Sequence, residues 1–289
     1  MEDQKTYYGL VGYPVSHSLS PLMHNTAFAE LGIKASYELF PLKEEELEPF
    51  FNRLKEKSCD IQGINVTVPY KEKVIGYLNG VSPYAQKAKA VNTVVISPQR
   101  SLQGFNTDGP GFLTHLTELG FDTKDKKIAM IGCGGVARAI VSVLCLLPER
   151  PKLITIYDVQ KEKADGLISD LGSRLDVSIV KNVGEVSDLG LKEAQLLINA
   201  TPIGLKEEDP CIVDEKALHE KMLVYDVIYN PLETKLLKAA KKKGAKTANG
   251  LKMLYYQGVL AFQHWMNAEL EPEVKNKMWQ SLVKGLSAH

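Results

Sequence analysis

Residues 128–144, IAMIGCGGVARAIVSVL, carry two periodicities in succession. The apolar run IAMI at 128–131 suits a parallel strand buried on both faces. Gly132, Gly134 and Ala137 follow at G-x-G-x-x-A spacing, and ARAIVSVLCLL continues as a helix. Glycines at this spacing allow a tight turn and close approach of the backbone to a pyrophosphate, which then sits at a helix N-terminus. Such a pattern alone is weak, but its flanks strengthen it. A second strand, KLITIYD, ends on Asp158, about 20 residues beyond the turn, where an acid typically holds ribose hydroxyls. The plainer reading of Asp158 is a strand-end turn residue.

Downstream the alternation continues. AQLLINA reads as a strand before the loop TPIGL, MLVYDVIY as another strand, and NPLETKLLKAAKKKGA as a helix stopped by Gly244. KTAN returns as a short strand. The spacing predicts a doubly wound parallel sheet, an α/β Rossmann-like dinucleotide-binding domain, over 108–249. Lys241, Lys242 and Lys243 read as a solvated helix end.

Bulk properties narrow the classes. A chain of 289 residues can bury one large or two ordinary cores. Lysine plus arginine equal aspartate plus glutamate at 35 each, which argues against a nucleic-acid or anionic-membrane surface as a partner. Cys59, Cys133, Cys145 and Cys211 are far apart and read as reduced thiols, with no zinc pattern. MEDQKTYYGLVG does not read as a signal peptide, and no apolar run reaches the roughly 18 residues of a membrane span. A cytoplasmic location is expected. His17 and His24 have no metal-ligand context, so no metal is expected.

Residues 1–107 have a βα rhythm of their own. YYGLVG is a strand, and Ser20 with Pro21 predicts an N-cap and first turn for the helix PLMHNTAFAEL. ASYELFPL is a strand and EEELEPFFNRLKEK a helix. In INVTV, Ile64, Val66 and Val68 share one strand face, while Asn65 and Thr67 share the other. Pro69 ends that strand. Lys71 is expected in the first turn of the next helix, where a lysine opposes the helix dipole. AKAVNTVVI places Asn92 inside an apolar strand, where a buried amide must be hydrogen-bonded. Asp108 precedes the helical face of Phe112, Leu113, Leu116 and Leu119 and could serve only as its cap. A dinucleotide enzyme needs a second wall that presents its substrate. An α/β substrate domain placed first explains why the glycine turn comes so late.

Taken in order, GYPVSHSLSPLMHN, GINVTVPYKE, AVNTV, GFNTDGPGF, IGCGGVARA, NATPIGL, VYDVIYNPLET and NGLKMLYYQG resemble the shikimate/quinate dehydrogenase family nearly end to end. The resemblance implies a two-domain enzyme for reversible hydride transfer between shikimate and 3-dehydroshikimate, with NAD or NADP, in the chorismate pathway. It implies that Ser18 and Ser20 bind the substrate carboxylate, and that Asn65, Thr67, Asn92 and Gln257 line the ring hydroxyls. Lys71 and Asp108 would flank the reacting carbon as a coupled catalytic pair, and Tyr229 would close the pocket. Cofactor contacts are implied for Gly132, Gly134, Gly135, Val136, Ala137, Asp158, Thr201, Gly204 and Gly250. Helices over 250–289 would return to complete the first domain, as a monomer or a homodimer.

One departure bears on the cofactor. NADP-using members commonly show Asn-Arg-Thr where this chain has Asp158-Val159-Gln160. An acid there repels a 2′-phosphate, and losing a charge-assisted contact costs about 1.5–3 kcal/mol. The reading leans to NAD, with Lys161 and Lys163 close enough to compensate. NAD use keeps quinate open as a further substrate and quinate degradation as the setting. A ligand sensor without turnover, or a methylenetetrahydrofolate dehydrogenase, would share the two-domain layout. The role of Lys252 is not explained by the motifs.

Overall fold

The computed structural model describes residues 5–287 and divides into two units. Unit 1 holds the chain up to Gly111 and again from Tyr255 onward; unit 2 is Phe112–Leu254.

Unit 1 runs β1 (Thr6–Gly12), α1 (Ser20–Glu30), β2 (Ala35–Pro41), α2 (Leu47–Leu54), β3 (Ile61–Val66), β4 (Gly80–Val81), α3 (Pro83–Ala88), β5 (Thr93–Ile96) and β6 (Leu102–Phe105). Its six-stranded sheet has the order β2-β1-β3-β5-β6-β4. β1 lies parallel to β2 and β3, and the sheet turns antiparallel at β3–β5 and β5–β6. Val11, Phe51, Leu54, Ile64, Val94 and Leu102 form one fully apolar core against it.

The helix α4 (Asp108–Glu118) leads into unit 2. There follow β7 (Lys127–Ile131), α5 (Gly135–Cys145), β8 (Leu153–Tyr157), α6 (Lys161–Gly172), β9 (Val180–Asn182), β10 (Leu196–Asn199), β11 (Leu223–Asp226), α7 (Lys235–Lys242) and β12 (Lys246–Ala248). All neighbours are parallel, in the order β12-β11-β10-β7-β8-β9. Strand order reverses at β7, the point where doubly wound sheets open a crevice at their carboxyl ends. Then α8 (Leu251–Met266) carries the chain back to unit 1, and α9 (Pro272–Ser287) packs on α1. Trp265 anchors the return: its Nε1 donates to the Val94 carbonyl at 3.1 Å, and its ring lies where a side chain on Gly63 would stand.

The structure corrects several expectations. The two compact units divide at 111/112 and 254/255, inside α4 and α8, within about a helical turn of the expected 107/108 and 249/250. Asp108 therefore belongs to unit 1, where its side chain is bonded. Ser20 is the first helical residue of α1, not its cap; Leu19 holds the cap position and the Ser18 hydroxyl accepts the Ser20 N–H at 3.2 Å. The strand β3 stops at Val66, although the Thr67 N–H still continues the ladder to the Val11 carbonyl at 2.8 Å. Val68 is thus 60% exposed instead of sharing the face of Ile64. Lys71 lies in a turn before a short 3-10 helix, Lys73–Tyr77, so no helix dipole acts on it. Asn92 immediately precedes β5 instead of lying within it. Among the described residues, no helix is long and apolar enough to cross a membrane, and no group of three or more His, Cys, Asp or Glu side chains could hold a metal.

Candidate functional site

In unit 1 the polar residues of four separated segments meet in the interior. Lys71 Nζ lies 2.7 Å from Asp108 Oδ2, and the two side chains are only 9% and 7% exposed. Buried charges of this kind persist only when paired and hydrogen-bonded. The second oxygen of Asp108 accepts Asn92 Nδ2 at 2.9 Å. The same amide donates to Thr107 Oγ1 at 2.9 Å and to Gln257 Oε1 at 3.3 Å. Its oxygen accepts the Thr107 N–H at 2.8 Å and the Thr93 hydroxyl at 3.1 Å. Asn92 thus has both ends of its amide assigned, with the donor end aimed at Asp108.

Asn65 continues the network. Its Nδ2 donates to the Asn92 carbonyl and to Thr93 Oγ1, each at 3.1 Å, and its Oδ1 accepts the Tyr37 hydroxyl at 2.8 Å. Tyr37 is fully buried; burial pushes its phenol well up, against a side-chain hydrogen bond with Ser20. Thr67 sets its methyl beside Gly12, where an added Cβ would fall 2.4 Å from it. Of the residues expected at substrate, Ser20, Asn65, Lys71, Asn92, Asp108 and Gln257 are joined by this chain of bonds. Ser18 and Thr67 stand next to it on the backbone.

Asn106 explains why Asp108 is free for Lys71. Asn106 Oδ1 accepts the backbone N–H groups of Asp108 at 3.0 Å and Gly109 at 3.4 Å, taking the cap of α4. Sequence reading missed Asn106, Thr107, Thr93 and Tyr37. The first three lie inside the motifs GFNTDGPGF and AVNTV, and an asparagine two residues before a helix start was a readable cap signal. Tyr37 gave no signal, because an aromatic residue in a strand is ordinary core.

Unit 2 holds the second set. Gly132 has φ +97°, and a Cβ there would lie 2.7 Å from the Ala200 carbonyl oxygen, so only glycine fits. Gly134 is the N-cap of α5, with open space where a side chain would be. Gly135, Val136 and Ala137 make the first turn of α5. A helix N-terminus without acidic residues, fronted by open space, fits the pyrophosphate of a dinucleotide. Asp158 follows β8; its carboxylate accepts the Cys133 and Gln160 N–H groups, both at 2.9 Å, so it braces the glycine turn itself. Thr201 and Gly204 lie in the loop after β10, and Gly204 has φ +115°. Gly250 packs on Val227, whose carbonyl oxygen would be 1.9 Å from a Cβ. Tyr229, after β11, is half-buried in the same unit. Lys252 pairs with Glu118 at 2.8 Å, which gives the unexplained lysine a surface ion pair.

A buried ammonium–carboxylate pair ringed by amides and hydroxyls, in one unit, and a glycine turn on a doubly wound parallel sheet, in the other, define the class: two-unit, dinucleotide-type α/β proteins. Residues 10–94 match the family model described as the shikimate dehydrogenase substrate binding domain. The chain is 40% identical over 281 residues to the shikimate dehydrogenase (NADP(+)) of Methanocaldococcus jannaschii, covering 96% of this chain and 97% of that one. The crystal structure of shikimate dehydrogenase from Aquifex aeolicus superposes with a TM-score of 0.85 at 36% identity, covering 96% and 98% of the two chains. Shikimate 5-dehydrogenase from Listeria monocytogenes, in complex with shikimate and NAD, superposes at 0.82 and 32%, covering 95% and 96%. The chain belongs to the shikimate dehydrogenase family.

Proposed function

We propose that this chain interconverts shikimate and 3-dehydroshikimate by hydride transfer at the C3 carbon, using a nicotinamide dinucleotide. The observation that carries the reading is the buried Lys71–Asp108 pair at 2.7 Å, braced by Asn92. Oxidising a secondary alcohol needs a group to take the hydroxyl proton, and reducing the ketone needs a donor for the developing alkoxide. Lys71 fills both roles: its neutral amine takes the hydroxyl proton in oxidation, and its ammonium returns that proton to the alkoxide in reduction. Asp108 holds the lysine in place and balances its charge. Ser18 and Ser20 bind the substrate carboxylate, and Asn65, Thr67, Asn92 and Gln257 its ring hydroxyls. Tyr229 is assigned to the substrate on the family resemblance alone.

The dinucleotide, when bound, supplies the hydride acceptor and donor. Gly132, Gly134, Gly135, Val136 and Ala137 would hold its pyrophosphate, with Thr201, Gly204 and Gly250 alongside. Asp158 would take the adenosine ribose, and with Val159, 84% exposed and apolar, it favours NAD. The name of the Methanocaldococcus relative favours NADP instead, with exposed Lys161 or Lys163 on the 2′-phosphate. A homodimer or a monomer and a cytoplasmic setting are compatible with both.

The test is initial rates of nicotinamide reduction with shikimate, comparing NAD and NADP at equal concentration, then quinate. A higher kcat/KM with NAD supports the Asp158 reading and makes quinate the next substrate. A strong NADP preference assigns the phosphate to the lysines. No turnover with either cofactor and either substrate removes the enzyme reading.

A further inference from the structure

Asp226 ends β11 as a fully buried carboxylate with no place in the proposed chemistry. It accepts three hydrogen bonds: Asn199 Nδ2 at 3.0 Å, the Ile228 N–H at 3.1 Å and Thr234 Oγ1 at 2.7 Å. Burial pushes its carboxyl up, and these three donors work against that push. A fully desolvated carboxylate is costly to keep unless its partners are fixed. What those partners hold is therefore informative.

Asn199, at the end of β10, is also fully buried. Besides Asp226, its Nδ2 donates to the Ile203 carbonyl at 3.0 Å. Its Oδ1 accepts the Thr201 N–H at 3.0 Å and the Thr201 hydroxyl at 2.7 Å. The same Thr201 oxygen accepts the Ile203 N–H at 3.1 Å. One amide therefore shapes the whole 200–203 segment, and Asp226 fixes that amide's orientation by taking its N–H. This segment lies against Gly132: a Cβ there would meet Ala200 O at 2.7 Å and Thr201 Cγ2 at 2.9 Å. The second donor, Ile228 N–H, fixes the backbone on which Gly250 rests, since Gly250 N–H donates to the Ile228 carbonyl at 3.0 Å.

We propose that Asp226 is a positioning residue for dinucleotide binding, acting through Asn199 on the 200–203 loop and through Ile228 on Gly250. The proposal rests on the reading that Gly132, Thr201, Gly204 and Gly250 face the dinucleotide. Thr234 supplies an internal contrast: its hydroxyl also accepts the Leu237 N–H at 3.3 Å as the cap of α7, a bond that concerns only that helix.

The experiment uses the full chain and measures dissociation constants of NAD, NADP and shikimate separately by calorimetry. Measurements are made well below each variant's Tm. Asp226→Asn and Asn199→Ala each raise the dinucleotide constant at least about five-fold, while the shikimate constant stays within about two-fold. Thr234→Val lowers Tm and leaves both constants within about two-fold. Should Asp226→Asn fail to fold, Asn199→Ala decides, because it keeps Asp226 bonded to Ile228 and Thr234. A folded Asn199→Ala with unchanged dinucleotide binding overturns the proposal. So does equal weakening of shikimate, which marks general loosening, and so does the same dinucleotide loss in Thr234→Val. If the wild-type chain binds neither dinucleotide, the reading of the glycine turn fails first and takes the proposal with it.

Discussion

Lys71 and Asp108, 37 positions apart, meet inside unit 1 at 2.7 Å with Asn92 closing the other carboxylate oxygen. Truncating the lysine removes the only member of that trio able to exchange a proton as a cation. Lys71→Ala lowers turnover by roughly 10²–10⁴-fold, with a much smaller change in shikimate affinity. Steady-state kinetics with a separate binding measurement checks it. Turnover within a few-fold of wild type would take Lys71 out of the chemistry.

Asn106 separates capping from charge placement. Asn106→Ala leaves the α4 amides of Asp108 and Gly109 without their acceptor, at a cost of about 1 kcal/mol in unfolding free energy. Because the freed helix start carries Asp108, kcat falls more than the dinucleotide constant rises. Urea unfolding and kinetics on the same preparation test this. A stability loss with unchanged kcat would show that the cap is not needed to hold the carboxylate.

Gly12 tests the placement of Thr67. A Cβ at Gly12 would lie 2.4 Å from Thr67 Cγ2 and 3.1 Å from the Val68 carbonyl oxygen, so that turn must shift. Gly12→Ala raises the shikimate KM while the dinucleotide KM stays near wild type. An unmoved shikimate KM would mean that Thr67 does not contact substrate.

His24 gives acid lability a source. Its ring stacks on Tyr37 at 4.5 Å and lies 5.0 Å from Trp265, and neither ring nitrogen has a hydrogen-bond partner among the described residues. Burial pushes its pKa from 6.5 to about 3. The unfolded chain therefore binds the extra proton first as pH falls, so the stability present above 6.5 is lost on the way to 3. By pH 5 the loss from this one group reaches about 2 kcal/mol. His24→Leu should flatten the fall of Tm between pH 7 and pH 5; parallel curves for variant and wild type would refute the assignment.

Most of the parallel sheet in unit 2 was legible because buried parallel strands are nearly continuous apolar runs, as IAMI and AQLLINA show. The exception was β9, whose three residues, VKN, include only one buried side chain. The residues around Lys71 were legible as motifs, but their bonding was not. Tyr37 and Asn65 are 28 positions apart, and Asn92 and Gln257 are 165 apart. Propensity and periodicity act over one or two turns of chain, so tertiary pairings of that range leave no local mark. Asp108 shows the effect in reverse. Local rules made it a cap, and only the neighbouring asparagine, seen in place, released it for the lysine.

The return of α8 and α9 to unit 1 has a consequence for biosynthesis. Unit 2 is continuous in sequence and can close its sheet while the ribosome is still at work. Unit 1 begins first, yet Trp265, which bonds Val94, and α9, which packs on α1, emerge last. The usual order of domain maturation, N-terminal first, is thereby inverted. Chains truncated after Leu254 and released from the ribosome should resist protease in 112–254 while their first hundred residues are still cut.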